Sequence, residues 1–380
     1  MDERIEAGLE QQFPKPAKKR ILLPAILRWL PALGLPGGLI GLFYLLREDQ
    51  ALMDAWVGKV MAPAEQFLGR LWSVFPFSAA EILVTAAITG CVLWFARAVV
   101  LLVRQRKPWA FVRRLIALSA VFVWIWAGLC WMWNPSYYAS DFAQKSGLAA
   151  PGHTVEELFY TTVWFAQNAA YYSAQVERDE QGRFAEDEKA YFDRGAHVYD
   201  NLVKEFPFLE IPSVRAKPLF FSRLQSALGF TGVYFPFTGE ANVNAHSPSC
   251  LRPAIIAHEM AHQRMVADEA EANFVGVAAA VTSGDVVYQY SGYLFGLIEL
   301  CNTLYDISPE LWDVIAQSFF TPELSTDWNE NRDYWHSFES EVEETAEETY
   351  DAFLRSNGQS LGIASYGACV DLLIAYFCPI

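Results

Sequence analysis

The residues whose types and spacing could do chemistry lie between Ala257 and Asn273, where His258-Glu259-Met260-Ala261-His262 reads His-Glu-x-x-His. On a helix, positions i and i+4 share one face, roughly 40° apart in azimuth and about 6 Å apart along the axis. Two imidazoles so placed can converge on one Zn²⁺ at about 2.0–2.1 Å each. Glu259 then projects beside the metal, where a carboxylate takes a proton from water rather than binding the ion. A surface helix carrying two solvated histidines is the bland reading of the same five residues.

A catalytic zinc site needs a third protein ligand and one open position. Asp268, Glu269 and Glu271 follow within reach. On a straight helix Glu269 would lie about 10 Å beyond His262 along the axis, too far to share a metal. The chain must therefore bend after His262, or the acid must come from a returning segment. Asp268 stands where the third ligand falls in His-Glu-x-x-His-x-x-Gly-x-x-His, but Met265 occupies the turn-glycine position. Glu269 begins Glu-x-x-Ala-Asn, which resembles the ligand helix of gluzincin-type peptidases. Glu269 is the favoured ligand, with Glu271 second and Asp268 third, and at least one of the three must be an ordinary solvated acid.

Three further stretches extend the likeness. They are Gly232-Val233-Tyr234-Phe235-Pro236-Phe237-Thr238-Gly239-Glu240-Ala241-Asn242-Val243-Asn244, then Glu269-Ala270-Glu271-Ala272-Asn273-Phe274, and the late Ser365-Tyr366-Gly367 with Val370-Asp371-Leu372-Leu373. With the His-Glu-x-x-His-Gln helix they resemble a bacterial family of membrane-anchored proteins catalogued as domain of unknown function 3810 and grouped with zinc peptidases. The resemblance runs from the hydrophobic helices to the C-terminus. It implies a mainly α protein, with N-terminal transmembrane helices followed by an α+β zincin-like metallopeptidase domain. Members are expected to carry Gly where Met265 stands, and Gly reaches left-handed backbone angles without steric cost. In zincin-like enzymes the strand beside the active-site helix pairs with extended substrate. The resemblance therefore implies that a peptide lies along 232–244, with Gly232, Tyr234 and Asn242 as the substrate-binding residues.

The elements that must position this site begin with a polar tail, residues 1–20, ending in Lys15-Pro16-Ala17-Lys18-Lys19-Arg20. It reads as a disordered cytoplasmic tail, too long and acidic for the n-region of a cleaved signal peptide. Three apolar stretches follow within 21–133, with expected spans Trp29–Leu46, Ile82–Val103 and Leu115–Trp133. Arg104, Arg106, Lys107, Arg113 and Arg114 crowd the connection between the second and third spans, which puts it and the tail in the cytoplasm. Residues 134–380 then form one extracytoplasmic domain.

Charge divides the same way. Residues 1–133 hold 15 Lys and Arg against 9 Asp and Glu, and the remainder holds 13 against 35, within a total of −16. An outer part this acidic argues against nucleic acid as a partner. A peptide or protein substrate and the lipid bilayer are the partners expected.

Within the outer part, Thr154 should cap a helix over Val155–Tyr171, and a second helix is expected over Glu186–Phe206. Phe230–Phe237 alternates like a strand or hairpin. Helices are expected over Phe274–Thr282, Gly292–Leu304 and 339–355, and a last one over Ile363–Tyr376. Of six cysteines, Cys250, Cys301, Cys369 and Cys378 fall outside the spans, where Cys250–Cys301 and Cys369–Cys378 bridges could form. His246 is a candidate cleft residue, and Tyr288, Tyr290 and Tyr293 are candidate donors to a tetrahedral intermediate. His153, His197 and His336 have no partner pattern.

These residues make the chain an expected membrane-anchored zinc metallopeptidase, with His258, His262 and Glu269 holding Zn²⁺ and Glu259 as general base. A non-catalytic envelope protein with a structural or sensory metal is the competing class. An amidase acting on peptidoglycan crosslinks is a third reading.

Overall fold

The computed structural model describes residues 30–378 apart from 149, 151, 213 and 360–365. The expected tail (1–20), the first residue of the first expected span and residues 363–365 lie outside the described residues. Helices make up most of the chain, and the strands form a single small sheet.

Helix α1 covers Leu35–Leu46 and α2 Ala62–Trp72. Two long apolar helices follow, α3 (Ala79–Val103) and α4 (Pro108–Met132), each of 25 residues with mean hydropathy 2.2 and 2.1 over their most apolar windows. At 1.5 Å per residue each is about 37 Å long, enough to cross the ~30 Å hydrocarbon core of a bilayer. Ser78 caps α3 by accepting from the Glu81 amide, and Pro108 opens α4, where a missing N–H costs nothing. Only 11% and 17% of those windows is buried, and Ile88, Val92, Leu93 and Phe122 stand exposed. A core helix of a soluble protein would be covered there. The expected first span is the shorter α1, with 12 residues behind a π-turn at Leu30–Gly34. It lies against α4, where Trp131 donates to the Leu39 carbonyl at 3.0 Å.

Helix α5 (Val155–Ser173) opens on the expected cap, a reciprocal capping box of Thr154 and Glu157. The single helix expected over Glu186–Phe206 is broken into Glu188–Arg194, a 3₁₀ turn at Gly195–His197 and Leu202–Glu205. Gly195 is the break: helix-averse by itself, it is pressed so close to Tyr288 that a Cβ would lie 2.7 Å from the phenol oxygen.

The sheet has order β1-β3-β2, from β1 (Lys217–Pro218), β2 (Gly232–Phe235) and β3 (Glu240–Val243). β3 runs parallel to β1 and antiparallel to β2, with Gly232 opposite Val243. This is the hairpin expected from the alternation after Phe230. Its turn holds Gly239 at φ +67°, where a Cβ would strike the Glu65 carbonyl of α2 at 2.1 Å.

The core is built by α5 with α6 (Arg252–His262), α7 (Glu269–Thr282), α8 (Val286–Ile307) and the last helix. Helices α9 (Pro309–Phe319), α10 (Pro322–His336), α11 (Glu341–Ser356) and α12 (Tyr366–Phe377) complete the chain. All six cysteines are free thiols, so neither anticipated bridge forms. Cys250, Cys301 and Cys369 instead fill the core as small apolar groups.

The helices before residue 134 are fastened to this core. Glu240 of β3 accepts from the Ala79 and Ala80 amides at 3.2 and 2.7 Å, capping α3, and pairs with Lys217 at 2.5 Å. Both side chains of that pair are at most 2% exposed.

Candidate metal centre

Helix α6 stops at His262 because the chain turns back on itself. The Met265 amide donates to His262 and the Val266 amide to Ala261, at 3.0 and 3.2 Å. Met265 itself sits in the left-handed region at φ 62°. A residue with a Cβ costs about 1–2 kcal/mol there relative to glycine. Its side chain is buried among Phe43, Met53, Val57, Met61 and Cys130, and burying a Met contributes about 1.5–3 kcal/mol. The expected turn is therefore made with Met in the glycine position, and the strain is offset by contact with the N-terminal helices.

After the turn, the Asp268 carboxylate accepts from the Glu271 amide as the N-cap of α7. Glu271 points away, accepting from the Phe142 and Ala143 amides at 2.8 and 3.0 Å. Glu269 alone of the three acids faces back toward α6.

His258 Nε2 and Glu269 Oε2 lie 3.4 Å apart, and His262 Nε2 and Glu269 Oε2 3.6 Å apart. The ligand atoms of all three residues fall within 4.8 Å of one another. Four ligands held tetrahedrally at about 2.0–2.1 Å from zinc are separated by about 3.3 Å. The donor set, two imidazoles and a carboxylate, is also one that zinc takes. The residues present fit the ion.

Neighbours aim these groups. His262 Nδ1–H donates to the Val266 carbonyl at 2.7 Å, which orients the ring so that Nε2 faces Glu269. The Trp133 ring, just past α4, meets His262 edge-on at 5.7 Å. Tyr350 of α11 donates to Glu269 Oε1, the oxygen not facing the imidazoles. Burial, then the nearby Glu269 charge, pushes the Tyr350 phenol well above its usual range, so it remains a donor. Behind the site α7 approaches α6 so closely that a Cβ at Gly276 would lie 2.8 Å from the His258 amide.

Charge in the metal-free cluster is shared. Burial opposes ionisation of Glu269, but His262 and His258 outweigh it and hold the carboxyl well below the usual range. Burial likewise opposes protonation of His262, yet Glu269 raises it to about 9. Glu259 is pushed up to about 7 by burial, against the pull of the two imidazoles. Its Oε2 has no hydrogen-bond partner among the described residues. β2 leaves room for it only because residue 232 is glycine: a Cβ there would lie 2.4 Å from Glu259 Oε1.

A cleft of about 420 Å³ reaches His258 and Glu269 and is lined by Phe230, Thr231, Trp335 and Tyr350. A larger cavity of about 920 Å³ lies behind the turn, against Met265, Asp268 and Glu271, and includes none of the three clustered residues. Of the residues expected to bind substrate, none is among those lining the cleft; Gly232 is packed against Glu259. Tyr234 donates to Glu65 of α2, and the Asn242 amide ties Val233 and Glu240 within the hairpin. His246 is turned to Tyr334. Tyr288 donates to the Tyr191 carbonyl, Tyr290 to Asp327, and Tyr293 stacks on Tyr172. His153, His197 and His336 each pair with a nearby acid. Sequence reasoning missed Tyr350 and Trp133. The available signal for Tyr350 was an aromatic residue inside an otherwise acidic helix.

These features define a mainly helical protein with a His-His-Glu cluster and two helices long and apolar enough to cross a membrane, the second of which leads into Trp133 beside His262. The chain belongs to the family described as "Protein of unknown function (DUF3810)", whose model matches residues 58–374. That stretch contains both apolar helices, the sheet and the whole cluster. No curated protein and no solved structure matches the chain.

Proposed function

We propose that the chain is a membrane-anchored zinc metallopeptidase that hydrolyses peptide bonds. The observation that carries this reading is the convergence of His258, His262 and Glu269 at tetrahedral-edge spacing, with Glu259 buried beside them. His258 and His262 through Nε2, and Glu269 through Oε2, would hold the ion. Zinc bound there supplies a Lewis acid that brings the pKa of a water toward 7. Glu259 would accept the proton of a water attacking the scissile carbonyl and return it to the departing amine.

Two features favour a working site over a metal kept only for folding. Asp268, the side chain best placed in sequence to fill a fourth position, is engaged as the cap of α7. β2 is an edge strand, and the two residues that lead into it, Phe230 and Thr231, line the cleft, where an extended peptide backbone could approach. Basic residues 104–114 and the N-terminal Lys/Arg run support a cytoplasmic location for both, with the cluster on the extracytoplasmic side of a bacterial cytoplasmic membrane.

The test is the Glu259→Gln full-length protein with labelled, denatured casein as substrate. It should keep its zinc and lose hydrolysis by about 10²-fold or more. Full zinc-dependent hydrolysis by Glu259→Gln would overturn the proposal.

A further inference from the structure

The cleft that opens on His258 and Glu269 has a second set of acids in its wall. Glu299, on the buried face of α8, is 7% exposed and lines the cleft. It has no hydrogen-bond or ion-pair partner among the described residues, and no Lys or Arg lines the cleft. Burial alone raises its carboxyl to about 7. Helix α11 brings Glu343 and Glu347 to the same cleft, while Phe230, Phe295 and Trp335 supply apolar and aromatic walls.

A buried carboxylate without a partner is costly unless something ionic completes it. Carboxylates with no cation of their own, flanked by aromatic faces, match an alkyl stem ending in an ammonium or guanidinium group. The metal side of the cleft and the Glu299 side are parts of one space of about 420 Å³, so one molecule can occupy both.

We propose that Glu299, with Glu343 and Glu347, forms a subsite for a cationic group of the substrate, making the protein selective for peptides bearing a free amine or a basic side chain next to the bond presented to the cluster. This deepens the peptidase reading and rests on it for the word substrate, but the binding it asserts does not require turnover.

The test is therefore binding to the full-length protein in detergent with metal removed, so that absence of hydrolysis leaves the readout intact. Three peptides are titrated: acetyl-Ala-Lys-Ala-amide, acetyl-Ala-norleucine-Ala-amide and Ala-norleucine-Ala-amide. The first places the cation on a side chain, the third at the N-terminus, and the second has none. At least one cationic peptide should bind about tenfold or more tighter than the neutral one, the worth of one charge-assisted hydrogen bond in a dry site. Which of the two is preferred identifies the source of the cation. In Glu299→Gln the preference should fall to within about twofold. Gln keeps the shape of Glu, and a thermal midpoint at or above wild type will show that the variant is folded. Equal binding of all three peptides, no binding of either cationic peptide, or an undiminished preference in folded Glu299→Gln would each overturn the proposal.

Discussion

Replacing Gly232 with Ala isolates the fit between β2 and Glu259. The new Cβ would lie 2.4 Å from Oε1 and 2.7 Å from Cδ and Cγ of Glu259. Ordinary contact begins near 3.5 Å, so about 1 Å of movement is required. Glu259 is 3% exposed, the clash reaches its Cγ and Cδ as well as the carboxylate end, and Gly232 is held in register opposite Val243. Overpacking of this kind costs about 1–3 kcal/mol. The assay is a double-mutant cycle by thermal or denaturant unfolding of the metal-free full-length protein: Gly232→Ala, Glu259→Ala and both together. Removing the Glu259 side chain removes what the Cβ strikes, so the double variant should recover most of the loss, a coupling of about 1–3 kcal/mol. Gly90→Ala is the control, since a Cβ there meets nothing within 4 Å. Additive effects in the cycle, or a Gly232→Ala protein as stable as wild type, would refute this packing and with it the confinement of the proposed base.

Three other outcomes follow from the same geometry. Because His262 keeps its proton up to about pH 9 in the metal-free cluster, zinc must displace it, and apparent zinc affinity should rise about tenfold per pH unit from 7 and level off above 9. Chelator competition reads this directly, and a flat profile would contradict it. Tyr350→Phe removes the donor to Glu269 Oε1 and should weaken zinc binding about tenfold or more, with little change in thermal midpoint when zinc is absent. Lys217→Met leaves Glu240 buried without its cation and should destabilise the protein by about 3–5 kcal/mol in denaturant unfolding; a loss under about 1 kcal/mol would show that the amides of Ala79 and Ala80 suffice.

What was legible in the sequence were the parts governed by local periodicity. The i, i+4 histidines, the need for a bend after His262, the Thr154 cap and the two long apolar helices all depend on neighbours within a turn or two. The choice among Asp268, Glu269 and Glu271 was harder, because all three lie on adjacent positions. The helix start sets where each points: Asp268 is used as the cap of α7, and Glu271 is drawn off by amides 128 and 129 residues earlier in the chain, which leaves Glu269 beside the histidines. Alternation locates the hairpin but not which neighbour each side chain meets: Tyr234 is taken up by Glu65, and Asn242 by the hairpin's own carbonyls. Tyr350 reaches Glu269 across 81 residues from a helix whose acids read as solvated surface. The close approach that breaks the helix at Gly195, like the burial that seats Met265, is a tertiary contact with no local signature.

The measurement that bears most directly on the central claim is zinc content, by inductively coupled plasma mass spectrometry, of the full-length protein. The whole chain is needed because Trp133, Glu65 and the start of α3 all touch the parts that build the site. Wild type is compared with Glu269→Ala, Glu271→Ala and Asp268→Ala. The account predicts about one zinc per chain in wild type, as a three-ligand site provides, lost in Glu269→Ala and kept in the other two. Folded wild type without zinc, or zinc lost in Asp268→Ala but kept in Glu269→Ala, would contradict it.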